Sequence, residues 1–215
     1  MRASFDLSLY LVLDPVQCGG HDAAIAVARA ALEGGVTLVQ LRAPEWHKRA
    51  WFELARDVLP IARTHRVPFV INDHVDVALA VGADGVHVGQ RDLPADVTRK
   101  LLGPDALIGL SVSNLAEAED ADRFAGVIDY VGAGPVWATP TKADASAPCG
   151  IDGIAAIRAR ARFPTVAIGG IQADNAADVM RAKPDGIAVV SAICRASNPR
   201  DAAAALAATI AQSRS

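Results

Sequence analysis

The chain has 215 residues, 52% hydrophobic and 21% charged, with a formal net charge of −3. That composition supports a sizeable core, and the scattered lysines and arginines give no basic footprint for nucleic acid. Its three cysteines lack metal-ligand spacing, Met1–Leu9 lacks a signal-peptide pattern, and no run of about 18 apolar residues could cross a bilayer. A cytoplasmic protein with reduced thiols is expected, acting on small molecules rather than on nucleic acid or membranes. Homo-oligomerisation is left open.

Eight short apolar runs follow one another: Leu9–Leu13, Leu38–Leu41, Phe69–Ile71, Val86–Val88, Leu107–Leu110, Ile128–Val131, Thr165–Ile168 and Ile187–Val190. None alternates with polar residues, as expected of parallel strands covered on both faces. Helical spacing separates them. Ile25, Ala28, Arg29 and Leu32 mark the first helix, and Trp51, Leu54, Ala55 and Val58 the second. Asp174 is placed to cap a helix running to Ala182, and Pro199 to start the last one, through Leu206 to Ile210.

A fourfold pattern underlies the series. Ala83-Asp84-Gly85-Val86 recurs as Pro184-Asp185-Gly186-Ile187, with related segments at Val127–Tyr130 and Gly34–Thr37. Val67-Pro68 and Phe163-Pro164 instead precede odd-numbered runs. Eight βα units without a composition break predict an α/β fold, a single (β/α)₈ TIM-barrel domain over residues 1–215. A doubly wound open sheet would show a glycine-rich fingerprint after its first strand, where this chain has Asp14-Pro15.

In such a barrel the chemistry belongs just past each strand's C-terminal end. Those positions hold Asp14; Gln40 and Arg42; Asn72 and Asp73; Gly89, Gln90 and Asp92; Ser111 and Ser113; Gly169-Gly170; and Ser191. Asp14 before Pro15 suits a turn. Asp73 and Asp92 suit helix starts as well as ligation of a hard cation such as Mg²⁺. Gly169-Gly170 and Ser191 occupy the loops that commonly bind phosphate in barrels, although Gly-Gly also suits a tight turn. His87, inside a strand, reads as a packed and hydrogen-bonded residue. Trp137 reads as packing, with a place at a pocket edge as the other option.

The segment Gly132–Gly150 is longer than the usual connection of about 4–6 residues. It carries Thr139, Thr141 and Lys142 beside glycine-freed backbone. That set suits an oxyanion, while a plain linker is the bland alternative.

Gln40-Leu41-Arg42, Ile71-Asn72-Asp73, Gly85–Asp92 and Gly109–Val112 resemble motifs of the thiamine phosphate synthase family. So do Gly134-Pro135, Thr139–Lys142, Ile168–Ile171 and Val189–Ser191, in order along almost the whole chain. The resemblance implies a barrel transferase that joins hydroxymethylpyrimidine diphosphate to thiazole phosphate and releases pyrophosphate. It implies Mg²⁺ held by Asp73 and Asp92. Gln40, Arg42, Asn72, Ser111 and Lys142 would bind the pyrimidine diphosphate, with Arg42, Ser111 and Lys142 as catalytic donors. Thr139, Thr141, Gly170, Val190 and Ser191 would contact the thiazole phosphate. The implied chemistry is dissociative: pyrophosphate departs, a pyrimidinylmethyl cation forms and the thiazole nitrogen attacks.

One position departs from the family pattern, with Pro44 where a lysine usually stands. Lys48, a turn into the next helix, is expected to reach in instead. A thiazole tautomerase would not need Asp73, Asp92 and Lys142, and Pro44 is the feature that favours a non-catalytic thiazole-phosphate-binding paralogue. An epimerase would need two facing acid/base residues, and no such pair is evident.

Overall fold

The computed structural model describes residues 5–139 and 146–214. The chain begins with β1 (Leu9–Leu13), the short α1 (Pro15–Cys18) and α2 (His21–Glu33). It continues through β2 (Leu38–Leu41), α3 (Lys48–Thr64), β3 (Phe69–Asn72), α4 (Val75–Val81), β4 (Gly85–Val88) and α5 (Ala95–Leu102). The second half holds β5 (Leu107–Val112), α6 (Leu115–Asp120), β6 (Tyr130–Ala133), α7 (Gly150–Arg160), β7 (Thr165–Ile168) and α8 (Ala176–Met180). Then come β8 (Gly186–Val189), α9 (Ser191–Cys194) and α10 (Pro199–Ser213). The strands close into one parallel barrel in sequence order, with β8 pairing back onto β1.

Side chains alternate across each strand, so one set enters the barrel and the other meets the helices. Leu9, Leu11 and Leu13 belong to the outer core, with Ala24, Ala28 and Ala31 of α2 and Trp51, Leu54 and Val58 of α3. Tyr10, Val12, Leu38, Val70, Leu107, Tyr130, Val166 and Ala188 fill the interior. Both faces are therefore apolar, which explains the unbroken runs in the sequence.

Three expectations need correction. The buried face of α2 is Ala24, Val27, Ala28, Ala31 and Leu32, while Ile25 is half-buried and Arg29 exposed. The sixth strand begins at Tyr130 because Asp129 is used at its lower end, where its carboxylate accepts from Ile108 N at 2.8 Å. Asn175, not Asp174, sits before α8; its side chain accepts from Gln172 N at 2.8 Å and donates to Gly170 O at 3.1 Å. Asp14 does cap its turn, accepting from Val16 N and Gln17 N, and Asn198 caps α10 ahead of Pro199. Among the described residues, no helix is long and apolar enough to cross a membrane.

Candidate active site

The inward series of each strand ends in a cavity of about 780 Å³ at the C-terminal mouth of the barrel. Two residues beyond Leu38, Val70, Tyr130, Val166 and Ala188 stand Gln40, Asn72, Gly132, Ile168 and Val190. All five line that cavity, as do His87 of β4 and Ser111 of β5. The strand pleat therefore delivers these groups to one wall system.

Arg42, Asp73, Gly89, Gln90, Arg91 and Asp92 extend the wall on the β2–β4 side. Asp73 adopts φ 59°, its N–H donates to His87 O at 2.9 Å, and Asn72 Nδ2 donates to its carboxylate. A non-glycine residue at positive φ is uncommon, though aspartate tolerates it better than most, and here it turns the chain sharply at the rim. Asp92 accepts from Gly89 N at 2.8 Å, so it closes its own loop while facing the cavity. Neither acid caps the following helix: α5 starts after Pro94 and α4 after His74, both without a side-chain cap.

On the β6–β8 side, Thr139, Gly170, Val190 and Ser191 also line the cavity. Gly170 needs its φ of 68°, and Ser191 Oγ accepts from Gln172 Nε2 at 2.8 Å. The base of the long segment is pinned to β7 by Val136 N donating to Ile168 O at 2.9 Å and Trp137 N to Gly169 O at 3.2 Å. Its return is tied by Cys149 N to Pro135 O at 2.9 Å and Gly150 N to Val136 O at 3.0 Å. A Cβ on Gly134 would lie 2.2 Å from Ile168 O, so this close approach demands glycine. Thr141 and Lys142 lie outside the described residues. Trp137 is half-buried against the outer core and is not part of the cavity wall.

Lys48 does not reach the site. Its ammonium pairs with Asp76, both side chains are more than half exposed, and Lys48 is absent from the cavity wall that includes Pro44. That contact, more than any other influence, holds the Asp76 carboxyl below its ordinary range. Sequence reading missed Arg91 and Gln172 on the wall, and it missed a buried chain below it. Gln40 Nε2 donates to Tyr10 Oη, which meets Tyr130 Oη at 2.8 Å. His87 bridges Tyr130 Oη at 3.0 Å and Ser111 Oγ at 2.9 Å. Burial pushes the pKa of both phenols well above their ordinary value.

The arrangement offers two polar stations around one cavity. Arg42, Asn72, Asp73, Asp92 and Ser111 form the first, on β2–β5. Thr139, Gly170 and Ser191 form the second, on β6–β8. The first combines cationic and hydrogen-bond donors with hard carboxylate oxygens. The second combines hydroxyls with glycine backbone. Among the described residues, no group of three or more His, Cys, Asp or Glu is gathered as a metal cluster. Two carboxylates nevertheless fit a Mg²⁺ ion whose remaining ligands are waters and substrate oxygens.

Comparison with known proteins places this geometry in a family. The thiamine-phosphate synthase of Laribacter hongkongensis is 53% identical over 199 residues, covering 93% of each chain. That of Azorhizobium caulinodans is 49% identical over 214 residues, covering 100% of each. The solved thiamine phosphate pyrophosphorylase from Pyrococcus furiosus superposes with a TM-score of 0.87 at 36% identity, covering 97% of this chain and 98% of that one. A 3-hexulose-6-phosphate synthase with a TM-score of 0.66 and 18% identity shares the fold. The family model described as thiamine monophosphate synthase matches residues 9–193, and the chain belongs to that family of transferases.

Proposed function

We propose that the chain joins hydroxymethylpyrimidine diphosphate to thiazole phosphate, giving thiamine phosphate and pyrophosphate by a dissociative, Mg²⁺-dependent route. The observation that carries this reading is the pair of polar stations on opposite halves of one barrel mouth. One half suits a diphosphate that leaves, and the other a phosphate that only anchors.

Asp73 and Asp92 would hold Mg²⁺, which when bound would neutralise charge on the diphosphate together with that group's own oxygens. Arg42 and Ser111 line the same half of the cavity and would supply donors where charge builds as the diphosphate departs. Asn72 orients the Asp73 carboxylate. Thr139, Gly170, Val190 and Ser191 would seat the thiazole phosphate so that its ring nitrogen faces the pyrimidine methylene. Lys142 and Thr141 take their roles from the family resemblance alone. The mechanism needs no nucleophilic side chain, and among the described residues no free thiol lines the cavity.

The test is pyrophosphate release. Both substrates with Mg²⁺ should give it, neither substrate alone should, and a chelator should stop it. Full activity in excess chelator would remove the metal from the mechanism. Rearrangement of the thiazole phosphate without pyrophosphate release would make the chain an isomerase instead.

A further inference from the structure

The buried chain of hydrogen bonds crosses the barrel from β2 to β5 and joins two residues given binding roles above, Gln40 and Ser111. The three residues between them, Tyr10, Tyr130 and His87, have no role in that reading. The fold makes room for them at the expense of side chains elsewhere. A Cβ on Gly109 would lie 2.2 Å from Tyr130 Cζ and 2.4 Å from His87 Nδ1, and one on Gly132 would lie 3.0 Å from His87 Cε1. Both phenols are fully buried, and burial keeps them protonated well beyond the neutral range.

Proton counting gives the chain a direction. Tyr10 Oη accepts from the Gln40 amide, so its own proton goes to Tyr130 Oη. Tyr130 then has one proton left, and the acceptor within reach among the described residues is His87 Nδ1. A proton on Nδ1 would leave the Tyr130 hydroxyl hydrogen buried without an acceptor, which proteins avoid. The His87 proton therefore sits on Nε2 and is donated to Ser111 Oγ. Ser111, having accepted there, turns its own hydrogen toward the cavity.

We propose that Tyr130 and His87 are positioning residues that lock His87 as the neutral Nε2–H tautomer and thereby present Ser111 to the substrate as a hydrogen-bond donor. The group opposite Ser111 must then be an acceptor, a ring nitrogen or a phosphate oxygen. The catalytic consequence rests on the proposed function, whereas the tautomer lock does not.

Two-bond ¹H–¹⁵N correlation spectra of the ¹⁵N-labelled full chain, without substrate, read the tautomer directly. The His87 signals are assigned by their loss in His87→Asn. Wild type should show an unprotonated Nδ1 and a protonated Nε2. Tyr130→Phe should release the lock into a mixture and lower kcat by about tenfold, the scale of one lost neutral hydrogen bond, with KM for thiazole phosphate unchanged. Tyr10→Phe keeps the Tyr130–His87 link and should retain the wild-type tautomer. A protonated Nδ1 in wild type, as a reversed Gln40 amide would produce, overturns the proposal. An unchanged tautomer and kcat in a folded Tyr130→Phe overturn it too. Absent pyrophosphate release with the Nε2–H tautomer in place would overturn the functional reading and uphold the lock.

Discussion

At the lower end of the barrel, Asp84, Asp129 and Asp185 precede β4, β6 and β8, and each binds the strand before it. Their carboxylates accept from Phe69 N at 2.8 Å, Ile108 N at 2.8 Å and Thr165 N at 2.7 Å. Their own N–H groups donate to the carbonyls of the same three residues. Thr37 does the equivalent before β2, accepting from Leu9 N at 3.0 Å. At the upper end, Asp73 and Asp92 face the cavity, and Asp92 closes its own loop onto Gly89 N. The same side chain is thus a fastener at one mouth of the barrel and a cavity-facing group at the other. The fourfold pattern in the sequence is the signature of the fasteners. Position along the strand, not residue type, decides whether an acid ties two strands together or faces the cavity.

The sharpest way to break that comparison is at Asp129. It also pairs with Arg99 at 2.9 Å, both side chains being largely buried, and Arg99 further donates to Val127 O and Ala106 O. Removing one partner of a buried ion pair typically costs about 3–5 kcal/mol. Asp129→Ala should lower unfolding free energy by that order in urea titration, while kcat per folded molecule stays at the wild-type level. A loss of kcat without loss of stability would put this residue in the wrong class.

The converse variant lies at the rim. On the proposed function, Arg42→Ala removes a donor from the diphosphate station and should cut kcat by about 10²–10³, equivalent to about 2.7–4 kcal/mol of transition-state stabilisation. Its thermal midpoint should match wild type, because Arg42 is half-buried at a strand end rather than in the core. A lower midpoint with unaltered kcat would make Arg42 a structural residue.

Thr37→Val tests the weakest fastener. Valine fills the space but cannot accept from the buried Leu9 N–H, and an unsatisfied buried donor costs about 1–3 kcal/mol. The unfolding midpoint should fall accordingly, and amide exchange at Leu9 should accelerate more than at Tyr10. Uniform exchange across β1 would mean that the Thr37 hydroxyl is not what holds the strand end.

Strand positions and rim residues were legible because hydrophobic runs end where strands end, and the residue after each run faces the mouth by construction. The buried chain was not legible. A tyrosine in an apolar run has the same pattern whether its hydroxyl is idle or linked, and Tyr10, Tyr130 and His87 lie far apart in sequence, on β1, β6 and β4. The phase of α2 was misread by one residue because alanine-rich helices present little contrast between faces, so Arg29 was grouped with the buried stripe. Asp174 and Asn175 are both capping residue types, and the Asn175 bonds to Gly170 O and Gln172 N, visible only in the fold, separate them. Helical reach alone puts Lys48 near the cavity, and the pairing with Asp76 on the neighbouring helix has no signature in the sequence.

That acid makes the smallest and most discriminating prediction. Lys48 lies at the start of α3 and Asp76 in the first turn of α4, and their ion pair bridges the two helices on the outside of the cavity wall. Exposed pairs of this kind contribute about 0.2–1 kcal/mol, so Lys48→Ala should barely move the unfolding midpoint at neutral pH. The Asp76 carboxyl should titrate closer to its ordinary value near 3.8, since the Lys48 hydrogen bond is the largest influence lowering it. A carboxyl with a depressed folded pKa contributes stability that is present above its unfolded value and lost as pH falls through the folded one. The small stability difference between wild type and variant should therefore persist at neutral pH and vanish below the folded pKa of Asp76. On the proposed function, KM for the pyrimidine diphosphate should not change, because Lys48 is paired with Asp76 and does not line the cavity with Arg42, Asn72, Asp73, Asp92 and Ser111. A raised KM in Lys48→Ala, with KM for thiazole phosphate spared, would show that the lysine leaves Asp76 when substrate binds and takes the place vacated at Pro44.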